Sequence, residues 1–154
     1  ETLAPYLGDA DMSVRREAAR AFEIALPKKQ AKTAEQCALD PQQDEDVRAA
    51  MLGALELHGK PKVARETSLA VIESDAPVLV RCRAAYAISR LAEKDDVSKL
   101  VSLVRIEEDE YVLVRLGYAL NHVRGDRVSV NGKGPYANSK PGTREEFIQA
   151  WLKD

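Results

Sequence analysis

Apolar residues recur along this chain at helical intervals. Val14, Ala18, Ala19 and Phe22 form one set, Val47, Met51, Leu52 and Leu55 a second, and Val80, Ala84, Ala85 and Ile88 a third. Each set occupies positions i, i+4, i+5 and i+8, which fall on one stripe of a helix rather than alternating across a strand. Ala21, Ala54 and Ala87 share a column of the three sets; a methyl group there lets a neighbouring helix approach closely while the larger residues fill the gaps. Helix-start signals precede each stripe: Asp11 and Ser13, Asp44 and Asp46, and Asp75 with Pro77. Second helices fill the intervals. Residues 31–39 predict a short one closed by Pro41, residues 61–74 carry Ala64, Val71 and Ile72 on one face, and residues 97–106 carry Val97, Leu100, Val101 and Val104. Turns at Pro27, at Gly59-Lys60-Pro61 and at residues 93–96 separate the two helices of each unit.

A Val-Arg pair marks the period, at Val14-Arg15, Val47-Arg48, Val80-Arg81 and Val114-Arg115, spaced 33, 33 and 34 residues apart. Such a spacing denotes a stack of two-helix units, none of which buries its apolar face alone. The fourth unit keeps Val114, Arg115, Ala119 and Leu120, but His122 stands in the column of Phe22, Leu55 and Ile88. The expected organisation is a repeat region over residues 1–123 with its first helix truncated, an irregular Gly- and Pro-rich loop over 124–142, and a last helix over 143–154. One Asn-Gly in the loop suits a hairpin turn. Thr143 and Glu146 predict a capping box for the last helix, and Phe147, Ile148, Trp151 and Leu152 give it an apolar stripe. A helix of about eleven residues is marginal in water on its own, so it is expected to dock as a cap over the end of the stack. Leu3, Ala4 and Leu7 read as the tail of an amphipathic helix, and with Glu1 at the start the chain reads as part of a larger protein.

In Asp11-x-x-Val14-Arg15-x-x-Ala18-Ala19-x-Ala21-Phe22 and Asp44-x-x-Val47-Arg48-x-x-x-Leu52-x-Ala54-Leu55 the chain resembles the first helix of HEAT repeats, and more narrowly the short bacterial type first described in phycobilisome lyases. The resemblance covers residues 3–123. It implies an all-α fold, a right-handed α-α superhelix (solenoid) of about four HEAT-like hairpins with a C-terminal capping helix. The signatures of tetratricopeptide and ankyrin repeats are absent. The family's Asp three residues before the Val is present as Asp11 and Asp44, whereas Pro77 and Tyr111 stand there in the third and fourth units. A ladder of Asp-to-Arg pairs between layers is therefore expected in the first two units only. Arg15, Arg48, Arg81 and Arg115 are expected to bond acidic groups and carbonyls between layers, with their stems on the core; the competing reading places them along a groove for an acidic ligand.

Composition agrees with helices that bury one thin stripe: 45% of residues are apolar, 31% charged and 5% aromatic. The net charge of −2 comes from 23 basic and 25 acidic residues without a basic block, so nucleic acid is not expected as a partner. No apolar run approaches the roughly 20 residues that span a bilayer, and no membrane association is expected. Cys37 and Cys82 fall in different units and read as small buried residues rather than a disulfide; the compartment stays open, with the cytoplasm slightly favoured. His58 and His122 are the only histidines. HEAT-like hydroxylases hold iron through repeated His-Glu pairs, but here Gly59 follows His58 and Val123 follows His122, so no metal is expected. Gly132-Lys133-Gly134 lacks the rest of a phosphate loop, and no nucleophile constellation stands out.

The sequence therefore predicts a monomeric, non-catalytic protein-binding module or scaffold with no cofactor. Arg16, Arg20, Glu56, Arg83, Tyr111 and Tyr118 are the candidate partner-binding residues. The alternative from the resemblance is a phycobilin-lyase-like assistant in chromophore attachment. A more distant one is a glycosylase-type enzyme acting on nucleic acid.

Overall fold

The computed structural model describes residues 3–125 and 144–152, and among these residues every regular element is helical and none is a strand. The helices are α1 (Met12–Ile24), α2 (Ala31–Leu39), α3 (Glu45–His58), α4 (Pro61–Ile72), α5 (Val78–Leu91), α6 (Val97–Ile106), α7 (Glu110–Arg124) and α8 (Arg144–Leu152), with 310 turns at Ala4–Gly8, Lys28–Gln30 and Lys94–Asp96. The chain is all-α. Side-chain caps start α1, α3 and α7. Asp11 accepts from the Ser13 amide, Asp44 from the amides of Asp46 and Val47, and Asp109 from those of Tyr111 and Val112, which satisfies amides that have no partner inside the helix. At residues 93–96 the turn forms its own reciprocal box, with Asp96 accepting from the Glu93 amide at 2.8 Å.

Packing divides the chain into two units, Glu1–Ala87 and Ile88–Asp154, with the division inside α5. In the first unit α1 packs on α3, α2 on both α3 and α4, and α3 on α4. Phe22, Val47, Met51, Leu52, Leu55, Val71 and Val80 are buried in it, and Ala54 has no exposed surface (0%), as a close-approach position requires. In the second unit α6 packs on α7, and α8 packs on both. Leu100, Leu103, Val104, Leu113, Leu116 and Leu120 fill this core together with Ile148 and Trp151 of α8.

Several expectations are revised. Leu3, Ala4 and Leu7 do not continue a regular α-helix; Ala4–Gly8 is a 310 turn that tucks Leu7 against α1. Val14 does not enter the core as Val47 and Val80 do. It is 36% exposed and lines a shallow apolar depression with Leu3, Tyr6, Ala18 and Ala21. The helix expected over 61–74 stops at Ile72. The loop expected over 124–142 lies outside the described residues beyond Gly125, as do Thr143 and the side chains of Glu146 and Phe147.

The register of the fourth unit also differs. The buried set of α5, Val80, Ala84, Ala85, Ala87 and Ile88, matches Val112, Leu116, Gly117, Ala119 and Leu120 of α7 at an offset of 32 residues. The caps agree: Asp109 precedes Val112 by three residues, as Asp11 precedes Val14 and Asp44 precedes Val47. Val114-Arg115 is therefore not the fourth copy of the pair, and the Asp column is broken only at Pro77. The sequence misleads here because α7 is buried over more than one stripe, Val114 included (7% exposed).

Candidate functional site

With the register set, the first unit brings equivalent positions of α1, α3 and α5 together in one open groove of about 340 Å³. Arg16, Arg20 and Glu23 come from α1, Asp46, Ala49 and Ala50 from α3, and Leu79 and Arg83 from α5. The alanines keep the α3 side low between charged walls. Arg16 reaches across to α3, 2.6 Å from Asp46 and 3.7 Å from Asp44, so one side chain both caps α3 and faces a cation of α1. Arg20 pairs at 2.8 Å with Glu17 on its own helix, both side chains about 70% exposed. An exposed pair of this kind contributes little, on the order of 0.3–0.5 kcal/mol, so Arg20 can exchange it for a partner's carboxylate at small cost.

Arg83 is held differently. Its Nη1 donates to Glu56 Oε2 at 2.6 Å and its Nη2 lies 3.5 Å from Glu23 Oε1, while the guanidinium sits 5.3 Å from the centre of the Tyr86 ring. The Glu56 side chain is only 3% exposed. It is thus spent inside the fold on Arg83 and is not the exposed, partner-choosing residue the sequence predicts. Gly53 makes the arrangement possible: a Cβ there would lie 2.2 Å from Glu23 Oε1 and 2.6 Å from Arg83 Nη2. Arg16, Arg20 and Arg83 do converge, whereas Tyr111 and Tyr118 lie on α7 in the second unit.

No protein-family model matches this chain, and no curated protein matches it. Its chemistry has to be read from its own geometry.

The arginines of the Val-Arg pairs bond carbonyls. Arg15 Nη1 donates to Asp9 O at 2.7 Å and to Ala10 O at 3.1 Å, and Arg81 Nη1 to Ala76 O at 2.7 Å. Buried Arg48 donates through Nε to Ala38 O at 3.1 Å, one residue before the end of α2, where helix carbonyls lack intrahelical donors. Each arginine thereby fixes the connection that leads into its helix. Gln43 secures the same connection, donating to Leu7 O at 3.1 Å and to the Cys37 sulfur at 3.5 Å. Burial pushes the Cys37 thiol up from its ordinary value. Cys37 and Cys82 are not joined in a disulfide, and both are half-buried.

In the corrected register the position of Arg15, Arg48 and Arg81 is Leu113, which is buried. The missing function comes from α8. Arg144 donates through Nε and Nη2 to Glu107 O at 3.0 and 2.8 Å, and through Nη2 to Arg105 O at 2.9 Å, one residue before the end of α6. Trp151 completes the docking. Its ring lies where a Cβ on Gly117 would stand, 2.1 Å from Cε2, and its carbonyl accepts from Arg124 Nη1 at 2.8 Å. Arg115 moves into the column of Arg83, Tyr118 into that of Tyr86, and Tyr111 into that of Leu79.

Sequence reasoning missed Glu23, Asp46, Leu79, Gly53, Gly117 and Arg144. The aligned columns carried a signal for the first three, since Glu23 and Leu79 lie one helical turn from Arg20 and Arg83 and Asp46 shares the column of Leu79. For Gly53, Gly117 and Arg144 the partners lie on other elements. His58 ends α3 with Nε2 3.0 Å from Glu23 O, a bond that requires the proton on Nε2. His122 is exposed on α7. Among the described residues no helix is long and apolar enough to cross a membrane, and no group of three or more metal-ligand side chains comes together.

Proposed function

We propose that this chain is a solenoid of HEAT-like hairpins that serves as a non-catalytic protein-binding module, with the groove of the first unit as a docking face. The observation that carries the proposal is the convergence of Arg16, Arg20, Asp46, Leu79 and Arg83 from three successive first helices on one groove. Within the first unit α1 lies against α3 and α2 against α4, the side-by-side order of a layered repeat. Arg83, held in place by Glu56 behind it, forms the fixed wall of the groove, and Arg16 and Arg20 its exchangeable rim. The partner that fits presents carboxylates to that rim and an apolar side chain to Leu79, which is 44% exposed.

The test is affinity capture on the full chain and on an Arg16→Glu, Arg20→Glu variant, with circular dichroism to show that both are folded. A protein retained by the first and lost from the second supports the module. If every retained protein is indifferent to the two reversals, the groove is not its docking face.

A further inference from the structure

The aligned columns of the first unit differ in one respect, the face of α1 that carries Val14. Val47, Met51 and Ala54 of α3 are fully buried (0%), and so are their equivalents on α5, Val80, Ala84 and Ala87. On α1 the same columns hold Val14, Ala18 and Ala21, and these line an open depression of about 420 Å³ beside Leu3 and Tyr6. Val14 is 36% and Tyr6 52% exposed. Small residues flanked by larger apolar ones at helical spacing let a second helix lie close alongside, and α1 itself packs on α3. The surface of α1 thus repeats a helix-receiving face and leaves it open.

The charges beside this face say what it receives. Arg16 of α1 crosses to α3, 2.6 Å from Asp46 and 3.7 Å from the cap Asp44, and Glu56 of α3 crosses to Arg83 of α5 at 2.6 Å. The columns of Arg16 and Glu56 are seven residues apart, two turns along one helix face. On α1 the receiving columns hold Asp11, which caps its helix as Asp44 does, and Glu17, which stands where Arg83 stands on α5. Both are acidic. Glu17 leaves 69% of its side chain exposed in its pair with Arg20, and an exposed pair exchanges readily. The complement is a helix with cations two turns apart. A second copy of this chain does not supply it, because a two-fold axis through the depression would oppose one Glu17 to the other.

We propose that the depression on α1 is a docking site for a basic amphipathic helix of another protein, which lies beside α1 as α1 lies beside α3. Its apolar stripe packs on Tyr6, Val14 and Ala21, and its Lys or Arg side chains, two turns apart, meet Asp11 and Glu17. The site shares no residue with the groove.

The test is selection from a library of single helices displayed on phage, panned on the full chain. The expected winners carry Lys or Arg seven residues apart beside an apolar stripe. Binding of a synthesised winner is expected to weaken at least about tenfold with Val14→Asp and with Glu17→Lys, and to survive Leu79→Ser in the groove; thermal unfolding shows that each variant is folded. Changing one of the winner's basic residues to Glu is expected to restore binding to the Glu17→Lys variant, which a merely unfolded face would not allow. Winners that ignore Val14→Asp and Glu17→Lys but are lost with Leu79→Ser would overturn this site and leave the groove intact. Enrichment of acidic helices, or of none, overturns it as well. So does a dimer of the unaltered chain in analytical ultracentrifugation that Val14→Asp dissociates, since a second copy would then be the occupant.

Discussion

Asp11 shows how one side chain can set both a boundary and a pH dependence. It starts α1, and the hydrogen bonds from the Ser13 hydroxyl and amide hold its carboxyl below the ordinary carboxylate value. A depressed folded value means that the stabilisation is present above the unfolded value, near 3.9, and is lost as pH falls through the folded one. Asn caps about as well as Asp but does not titrate, so Asp11→Asn is expected to flatten the acid limb of the melting temperature between pH 5 and 2 relative to the unaltered chain. An unchanged limb would assign that limb to other carboxylates. Two glycines make a sharper contrast. A methyl at Gly53 would press on the far ends of the Glu23 and Arg83 side chains, whereas at Gly117 it would press on the Trp151 ring. Trp151 is the only tryptophan, so its fluorescence reports α8 directly. Gly117→Ala is expected to shift emission towards that of a solvated indole, and Gly53→Ala to leave it unchanged.

At the scale of elements, the connections between helices are held by arginines bonded to carbonyls. Arg48→Met keeps an apolar stem in place but leaves Ala38 O without its donor, and urea unfolding is expected to register a loss of about 1–3 kcal/mol. Arg144→Ala removes the donor to Glu107 O and Arg105 O from α8, and is expected to release Trp151 as Gly117→Ala does; retention of the buried emission would show that the indole alone holds the helix. Most helix bounds were legible in the sequence. The stretches 31–39 and 97–106 coincide with α2 and α6 because Pro41, the incoming turns and the apolar spacing are local signals. The fourth register was not legible, because Val114-Arg115 mimics the repeated pair while the cap that decides the matter, Asp109, lies two residues earlier than that pair implies.

Over the whole molecule, the proposed solenoid makes a claim about coupling. In a stack each unit is stabilised chiefly by its neighbours, so damage in one spreads to the next. Leu55→Ala removes a core side chain that is 1% exposed and should cost about 2–5 kcal/mol; amide exchange is expected to accelerate in α1 and α2, which pack on α3, as well as in α3 itself. Protection unchanged in α1 and α2 would mean helices that are stable without α3. The candidate site divides along a similar line. Arg16, Arg20 and Arg83 were readable as a set, since helical spacing and a constant period place equivalent residues on equivalent faces. That Glu56 is consumed by Arg83, that Gly53 makes room for the pair, and that Arg144 stands in for an arginine replaced by Leu113 depend on which side chains meet across helices. By itself the sequence determined the all-helical character, the bounds of α2 and α6 and the caps at Asp11 and Asp44, because these rest on interactions within a few residues. Only the tertiary structure decided the register of α7, the pairing of the charges and the seat of Trp151, because desolvation and ion pairing are set by neighbours that are distant along the chain.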